Sequence, residues 1–204
     1  MKANYRLYLV TEESVPVEEL LFKVEEAVKG GVTLVQLREK LSSGNLFYEK
    51  AKRLKKLLAQ YHVPLIINDR VDVALAIDAD GVHIGQNDIP LSVVKEIVPD
   101  SMIVGVSVST VEEAREAEKN GADYLGVGAM FPTRSKSDAE ELPSGMLDSI
   151  LENVSIPIVA IGGIQLNNLA EIRDKNIAGI AVVSGIMKAD DPFIAAKAFR
   201  NSFQ

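Results

Sequence analysis

The sequence predicts an α/β protein that folds as a single (β/α)8 TIM barrel over residues 1–204. Short β-branched runs alternate with longer segments of helical periodicity, and this alternation continues evenly toward residue 204. No glycine-rich dinucleotide fingerprint follows the first strand-like run. Eight strand–helix units in about 200 residues favour a closed parallel barrel with the helices outside. A doubly wound open sheet is the alternative that such an alternation leaves open.

The elements follow from the periodicity of the apolar residues. Runs that predict strands are Leu7–Val10, Thr33–Leu37, Leu65–Asn68, Gly81–Ile84, Ile103–Ser107, Tyr124–Val127, Ile158–Ile161 and Ile180–Val183. Helical spacing predicts helices at Val17–Lys29, Asn45–Tyr61, Leu91–Val98, Val111–Asn120 and Phe193–Asn201. In the second of these helices, Leu54, Leu57 and Leu58 recur on one face. Thr110 followed by Glu113 is a capping box that begins the fourth.

Composition excludes several classes of protein. The chain is 47% hydrophobic and 25% charged, which is typical of a globular protein. A net charge of −7 argues against a partner nucleic acid held by a basic surface. Without cysteine there is no disulfide framework, thiolate metal site or cysteine nucleophile. No apolar run is long enough for a membrane span and no signal-peptide region is seen, so we expect a cytoplasmic protein without a membrane partner. Assembly into a homo-oligomer is compatible with the sequence.

The second predicted strand carries the most informative pattern. Gln36, Arg38 and Lys40 stand at every second position and therefore share one face, while Val35 and Leu37 take the other. Three such polar side chains on the inner side of a buried strand would not contribute to an apolar core. We therefore expect them to converge on an anion.

Polar residues also close the other predicted strands, at the end of the barrel where active sites lie. Asp69 and Asp88 follow neighbouring strands, and one carboxylate from each could hold Mg²⁺. Carboxylates at the start of a loop are often helix caps instead, and this alternative stays open. The pair Gly162-Gly163 and the pair Ser184-Gly185 follow strands 7 and 8, the usual phosphate site of this fold, although both could be simple turns.

Two further features bear on the same end of the barrel. The long irregular stretch Met130–Ser144 is expected to cover a site, and a tolerated surface insertion is the alternative. His83 lies inside a strand and is interpreted as a hydrogen-bonded barrel residue, whereas His62 follows a helix and is expected to be solvated.

Taken in order, these residues resemble those of the thiamine-phosphate synthase family. The matching motifs are Gln36-Leu-Arg-Glu-Lys40, Asn68-Asp-Arg70, Ala79-Asp-Gly-Val-His-Ile-Gly-Gln86 with Asp88, Gly105-Val-Ser107, Ala122-Asp-Tyr-Leu-Gly-Val-Gly128, Phe131-Pro-Thr133 with Ser135-Lys136, Ile158-Val-Ala-Ile-Gly-Gly-Ile164 and Ala181-Val-Val-Ser184. The resemblance implies an enzyme that joins an aminopyrimidine-methyl pyrophosphate to a thiazole phosphate, with Mg²⁺ as cofactor, one ion per subunit. The products would be thiamine phosphate and pyrophosphate.

The resemblance also implies a role for each site residue. The pyrimidine pyrophosphate would be held by Gln36, Arg38, Lys40, Asn68, Ser107 and Lys136. Of these, Ser107, Lys136 and Arg38 would act catalytically, and Ser107 would contact the pyrimidine. Independently of the resemblance, we hypothesise that Ser107 accepts a hydrogen bond from the pyrimidine amino group. The thiazole phosphate would be bound by Thr133, Arg134, Ser135, Gly163, Val183 and Ser184. The metal would be held by Asp69 and Asp88.

The sequence departs from the family pattern at two positions and leaves two rival functions. Ser109 stands where the family usually has His, and Ala129 where it usually has Pro. A thiazole tautomerase of the same fold would need a thiazole-phosphate site but neither the metal pair nor the pyrophosphate cations. A non-catalytic protein that binds a thiamine precursor would not need the metal site.

Overall fold

Eight parallel strands close into a barrel in chain order in the computed structural model, which describes residues 3–13, 15–133 and 140–203. The strands are β1 (Leu7–Val10), β2 (Leu34–Leu37), β3 (Leu65–Asn68), β4 (Gly81–Ile84), β5 (Ile103–Val108), β6 (Tyr124–Val127), β7 (Ile158–Ile161) and β8 (Gly179–Val182). β1 pairs in parallel with both β2 and β8, so the sheet has no edge. This closure confirms the predicted (β/α)8 barrel and excludes the open sheet.

Helices connect most of the strands. They are α1 (Val17–Gly30), α2 (Gly44–Ala59), α3 (Val71–Ala76), α4 (Leu91–Ile97), α5 (Val111–Lys119), α6 (Met146–Leu151), α7 (Ser184–Met187) and α8 (Pro192–Ser202). The five predicted helices are confirmed, and their ends shift by no more than two residues. The predicted capping box of Thr110 and Glu113 begins α5. In the part of the chain that the structure describes, no helix combines the length and apolar character that a membrane crossing requires.

The alternation of side chains separates two hydrophobic cores. Val35 and Leu37 belong to the larger core, which packs the outside of the barrel against the helices. A smaller core fills the inside of the barrel with Tyr8, Val10, Leu34, Ile66, Tyr124, Val159 and Ala181. Because Gln36 lies between Val35 and Leu37 on β2, its side chain faces the inside, as the sequence predicts.

Four strand ends, on three strands, differ from the prediction by one residue. β8 begins at Gly179, where a Cβ atom would lie 1.8 Å from the carbonyl oxygen of Tyr5, so that only glycine allows this approach. Val183 leaves the strand and caps α7 instead. β5 extends to Val108 because that residue still pairs with Val127 on β6. β2 begins one residue later than predicted.

Candidate active site

A cavity of about 500 Å³ opens at the carboxyl ends of the strands. The described residues predicted for the site all line it: Gln36, Arg38, Lys40, Asn68, Asp69, Asp88, Ser107, Thr133, Gly163, Val183 and Ser184. The predicted residues Arg134, Ser135 and Lys136 lie outside the described residues. The structure thus brings together side chains from loops that are far apart in the sequence.

The cations that follow β2 are held by neighbouring loops. The backbone N–H of Arg38 donates to Thr11 Oγ1 at 3.0 Å, and its guanidinium lies 3.8 Å from the carboxylate of Glu13. Lys40 Nζ lies 3.1 Å from Asp69 Oδ2. Both cations therefore lie at the cavity wall beside a carboxylate, and an incoming anion would compete with that carboxylate for the positive charge.

Glu39, which stands between these two cations in the sequence, forms a buried ion pair that the sequence analysis missed. Glu39 points away from the cavity, and its carboxylate accepts a hydrogen bond from Lys50 Nζ of α2 at 2.5 Å. The side chains of Lys50 and Glu39 are only 4% and 0% exposed. The hydroxyl of Ser42 donates to the other oxygen of Glu39 at 2.5 Å. The pair thus fastens the loop that carries Arg38 and Lys40 to α2.

Asp69 and Asp88 meet in the cavity, as predicted. Asp69 has a left-handed backbone (φ 59°), which aims its side chain at the cavity from the end of β3. Asp88 Oδ2 accepts a hydrogen bond from the N–H of Gly85 at 2.7 Å. Burial raises the pKa of Asp69; Lys40 opposes this shift, and contact with the Asp88 carboxyl adds to it. Two carboxyl groups in contact at a partly buried site are arranged as cation ligands are.

The donor set fits Mg²⁺. Among the described residues there is no group of three or more acidic, histidine or cysteine side chains that could hold a metal. Mg²⁺ commonly takes only one or two protein carboxylates and completes its shell with water and substrate phosphate. Asp69 and Asp88 therefore fit a metal that shares its shell with a phosphate ligand.

The other side of the cavity is a backbone cradle built on glycines. Gly162 and Gly163 have φ values of 97° and 65°. A Cβ at Gly163 would lie 2.5 Å from the carbonyl oxygen of Phe131. Asn168 Nδ2 donates to the carbonyl of Gly163 at 2.9 Å, while its Oδ1 accepts from the N–H of Gln165 at 2.8 Å. This arrangement fixes the direction of the peptide groups at this wall of the cavity.

A chain of hydrogen bonds crosses the inside of the barrel along the wall of the cavity. Gln36 Nε2 donates to Tyr8 Oη at 2.7 Å, and the Tyr8 and Tyr124 hydroxyls lie 2.9 Å apart. His83 Nδ1 lies 2.8 Å from Tyr124 Oη, and His83 Nε2 lies 2.9 Å from Ser107 Oγ. His83 is therefore a hydrogen-bonded barrel residue, as interpreted from the sequence. The roles of Tyr8 and Tyr124 were missed, although both occupy inward positions that period-two alternation identifies.

The two departures from the family pattern also lie at the cavity wall. Ser109 donates to Glu113 from both its backbone N–H, at 2.7 Å, and its hydroxyl, at 3.1 Å. Ser109 therefore extends the capping box of α5. Ala129 is buried, and its carbonyl accepts from the N–H of Leu142 at 2.8 Å.

A family model and full-length sequence relatives agree on one family. The family model described as thiamine monophosphate synthase matches residues 7–186. A thiamine-phosphate synthase of Clostridium beijerinckii is 50% identical over 203 residues, covering 99% of this chain and 97% of that protein. One from Methanobrevibacter smithii is 48% identical over 198 residues, covering 97% of this chain and 95% of that protein.

A solved structure agrees with these relatives. The thiamine phosphate pyrophosphorylase from Pyrococcus furiosus superimposes with a TM-score of 0.89 at 44% identity, covering 98% of this chain and 96% of that one. The agreement spans nearly all of each protein. This chain belongs to the thiamine monophosphate synthase family.

Proposed function

We propose that the protein is a thiamine-phosphate synthase. It transfers the methylene carbon of an aminopyrimidine-methyl pyrophosphate to the ring nitrogen of a thiazole phosphate. The C–O bond to pyrophosphate breaks, a C–N bond forms, and the products are thiamine phosphate and pyrophosphate. The single observation that carries this proposal is one cavity with cations and paired carboxylates on one side and a backbone cradle on the other.

The first side suits the pyrophosphate of the pyrimidine substrate. Arg38 and Lys40 neutralise its charge, and Gln36 and Asn68 donate hydrogen bonds from the strand ends beside them. On binding, the pyrophosphate displaces the carboxylate of Glu13 from Arg38. Lys136 is assigned to the same group from the sequence alone.

Asp69 and Asp88 would hold one Mg²⁺ in each subunit. When bound, the ion supplies charge neutralisation for the departing pyrophosphate. Lys40 Nζ lies 3.1 Å from Asp69 Oδ2, so its positive charge also stabilises the negative charge of the departing pyrophosphate.

The glycine side suits the phosphate of the thiazole. Gly163 and the start of α7 at Val183 and Ser184 offer backbone N–H groups, and Gln165 Nε2 lies 3.4 Å from the Ser184 hydroxyl. Thr133 lines the same wall. Arg134 and Ser135 are assigned here from the sequence.

The chemistry needs no protein nucleophile. An electron-rich aminopyrimidine stabilises positive charge on its methylene carbon once pyrophosphate begins to leave, and the thiazole nitrogen captures that carbon. Holding the two substrates face to face in one cavity contributes through proximity. Ser107 lies at the end of β5, on the cavity wall, where it contacts the pyrimidine. Residues 1–204 are proposed to act as one catalytic domain in the cytoplasm.

One set of assays separates this function from its rivals. With both substrates and Mg²⁺, the proposed enzyme forms thiamine phosphate. A tautomerase would isomerise a thiazole phosphate without the pyrimidine substrate, and a sensor would bind a precursor without turnover. The contact between Asp69 and Asp88 favours the synthase, because neither rival needs a metal pair. The cations Arg38 and Lys40 favour it over the tautomerase, which needs no pyrophosphate site.

A further inference from the structure

The hydrogen-bond chain inside the barrel has a direction that its donors determine. The amide nitrogen of Gln36 can only donate, so Tyr8 Oη accepts that bond. Burial raises the pKa of Tyr8 and of Tyr124, so each phenol keeps its one hydrogen. The Tyr8 hydroxyl finds an acceptor in Tyr124 Oη at 2.9 Å. The first two bonds therefore run from Gln36 to Tyr8 to Tyr124.

The direction continues to the cavity. Having accepted from Tyr8, the Tyr124 hydroxyl donates to His83 Nδ1 at 2.8 Å. A neutral imidazole that accepts at Nδ1 carries its hydrogen on Nε2. That N–H donates to Ser107 Oγ at 2.9 Å.

We propose that this chain holds His83 as the Nε2–H tautomer and thereby makes Ser107 a hydrogen-bond donor to the pyrimidine substrate. The Ser107 oxygen already accepts a hydrogen bond from His83. The hydroxyl hydrogen of Ser107 is therefore free to point into the cavity, where it donates to an acceptor atom of the bound substrate. This replaces the expectation that Ser107 mainly accepts from the pyrimidine amino group. The inference rests on the proposed function for the identity of the substrate, and on the barrel geometry alone for the tautomer.

The opposite direction is disfavoured by burial. If Tyr124 donated to Tyr8, the Tyr8 oxygen would accept from both Gln36 and Tyr124, and no hydrogen bond among the described residues would take its own hydrogen. Tyr8 lines the cavity but is only 2% exposed, so solvent has little access to this hydrogen. A buried donor without an acceptor is strongly destabilising. Tyr8, Gln36 and Tyr124 are thus positioning residues that act on Ser107 through His83.

The tautomer is measurable in the substrate-free protein. The chain has only two histidines, so nitrogen NMR of histidine-labelled protein gives two ring systems. The His62→Asn variant assigns them, because His62 is exposed with a φ of 55° that Asn tolerates. At mildly alkaline pH we expect His83 to carry its hydrogen on Nε2 alone. A hydrogen on Nδ1, or on both nitrogens, would overturn the inference.

Two variants test where the direction originates. In Gln36→Glu, the ionised carboxylate can only accept from Tyr8, so the chain reverses and the hydrogen moves to Nδ1 as the pH rises. Tyr5→Phe is the matched control, because the Tyr5 ring lies 4.8 Å from that of Tyr124 without forming a bond of the chain. It should leave the tautomer unchanged. A tautomer that is the same in Gln36→Glu at every pH would refute control by Gln36.

Two probes identify which substrate atom accepts the hydrogen bond from Ser107. Inorganic pyrophosphate with Mg²⁺ offers phosphate oxygens, and the aminopyrimidine alcohol offers ring nitrogens. Calorimetry of Ser107→Ala should show at least about fivefold weaker binding of one of them, which names the acceptor. Unchanged binding of both would overturn the donor role. Because the NMR measurement uses no substrate, failure of the proposed function would leave the tautomer result standing.

Discussion

Replacing Lys50 by Met should lower the stability of the protein sharply. Methionine keeps the apolar stem of Lys50 on α2 but removes the ammonium that lies 2.5 Å from Glu39. Among the described residues, the Ser42 hydroxyl is then the only hydrogen-bond donor left to the Glu39 carboxylate, which is 0% exposed. The perturbation therefore leaves a buried charge without its counterion.

The structure supports an estimate of the size of this effect. Removing one partner of a fully buried ion pair costs about 3–5 kcal/mol in the free energy of unfolding. For a protein of about 200 residues, each kcal/mol lowers the melting temperature by roughly 2–4 °C. We therefore expect Lys50→Met to melt about 6–20 °C below the parent protein.

Thermal unfolding followed by calorimetry is the assay, with a matched control on the same helix. Arg53 of α2 pairs with Glu18, but these side chains are 45% and 81% exposed, so Arg53→Met should change the melting temperature little. Adding Glu39→Gln to Lys50→Met removes the uncompensated charge and should restore most of the loss. Lys50→Met that melts like Arg53→Met, or a double variant no better than the single one, would refute the reasoning.

The remaining predictions concern the cavity. EDTA should abolish product formation and added Mg²⁺ restore it, and Asp69→Asn should lower activity more than about tenfold, because even the loss of a residue that only supports a metal ligand costs that much; full turnover without a divalent metal would reject the Asp69/Asp88 site. Gly163→Val should raise KM for thiazole phosphate more than Ser184→Ala, because its Cβ would lie 2.5 Å from the Phe131 carbonyl oxygen; the reverse order in steady-state kinetics would contradict a backbone cradle. Ser107→Ala should lower kcat about ten- to a hundredfold, more than it raises KM, equivalent to roughly 1–3 kcal/mol for one hydrogen bond, and a change in KM alone would make Ser107 a binding residue only.

The fold was accessible from the sequence because its strands are short apolar runs at regular intervals. The helices that were missed are short: α3 at Val71–Ala76 and α6 at Met146–Leu151 have six residues each, and α7 at Ser184–Met187 has four. Fewer than two turns do not establish a helical period. Their positions depend on the barrel that they cover, which local sequence does not encode.

The cavity was predictable to the extent that it follows from strand ends. Gln36, Asp69 and Ser107 were recognised as polar residues at the carboxyl ends of apolar strands, and all three line the cavity. Glu39 and Lys50 were not recognised as a pair, because 11 positions separate them and only the tertiary fold buries both. Residue type alone suggests a solvated surface for each of them.

The central claim is that this cavity couples the two substrates, and the stoichiometry of the reaction tests it most directly. The parent protein is incubated with the aminopyrimidine-methyl pyrophosphate, thiazole phosphate and Mg²⁺, and released pyrophosphate and thiamine phosphate are quantified in the same samples. We expect equal amounts of both products, with formation of each dependent on both substrates. Pyrophosphate release without thiamine phosphate, or no product from either substrate, would contradict the claim.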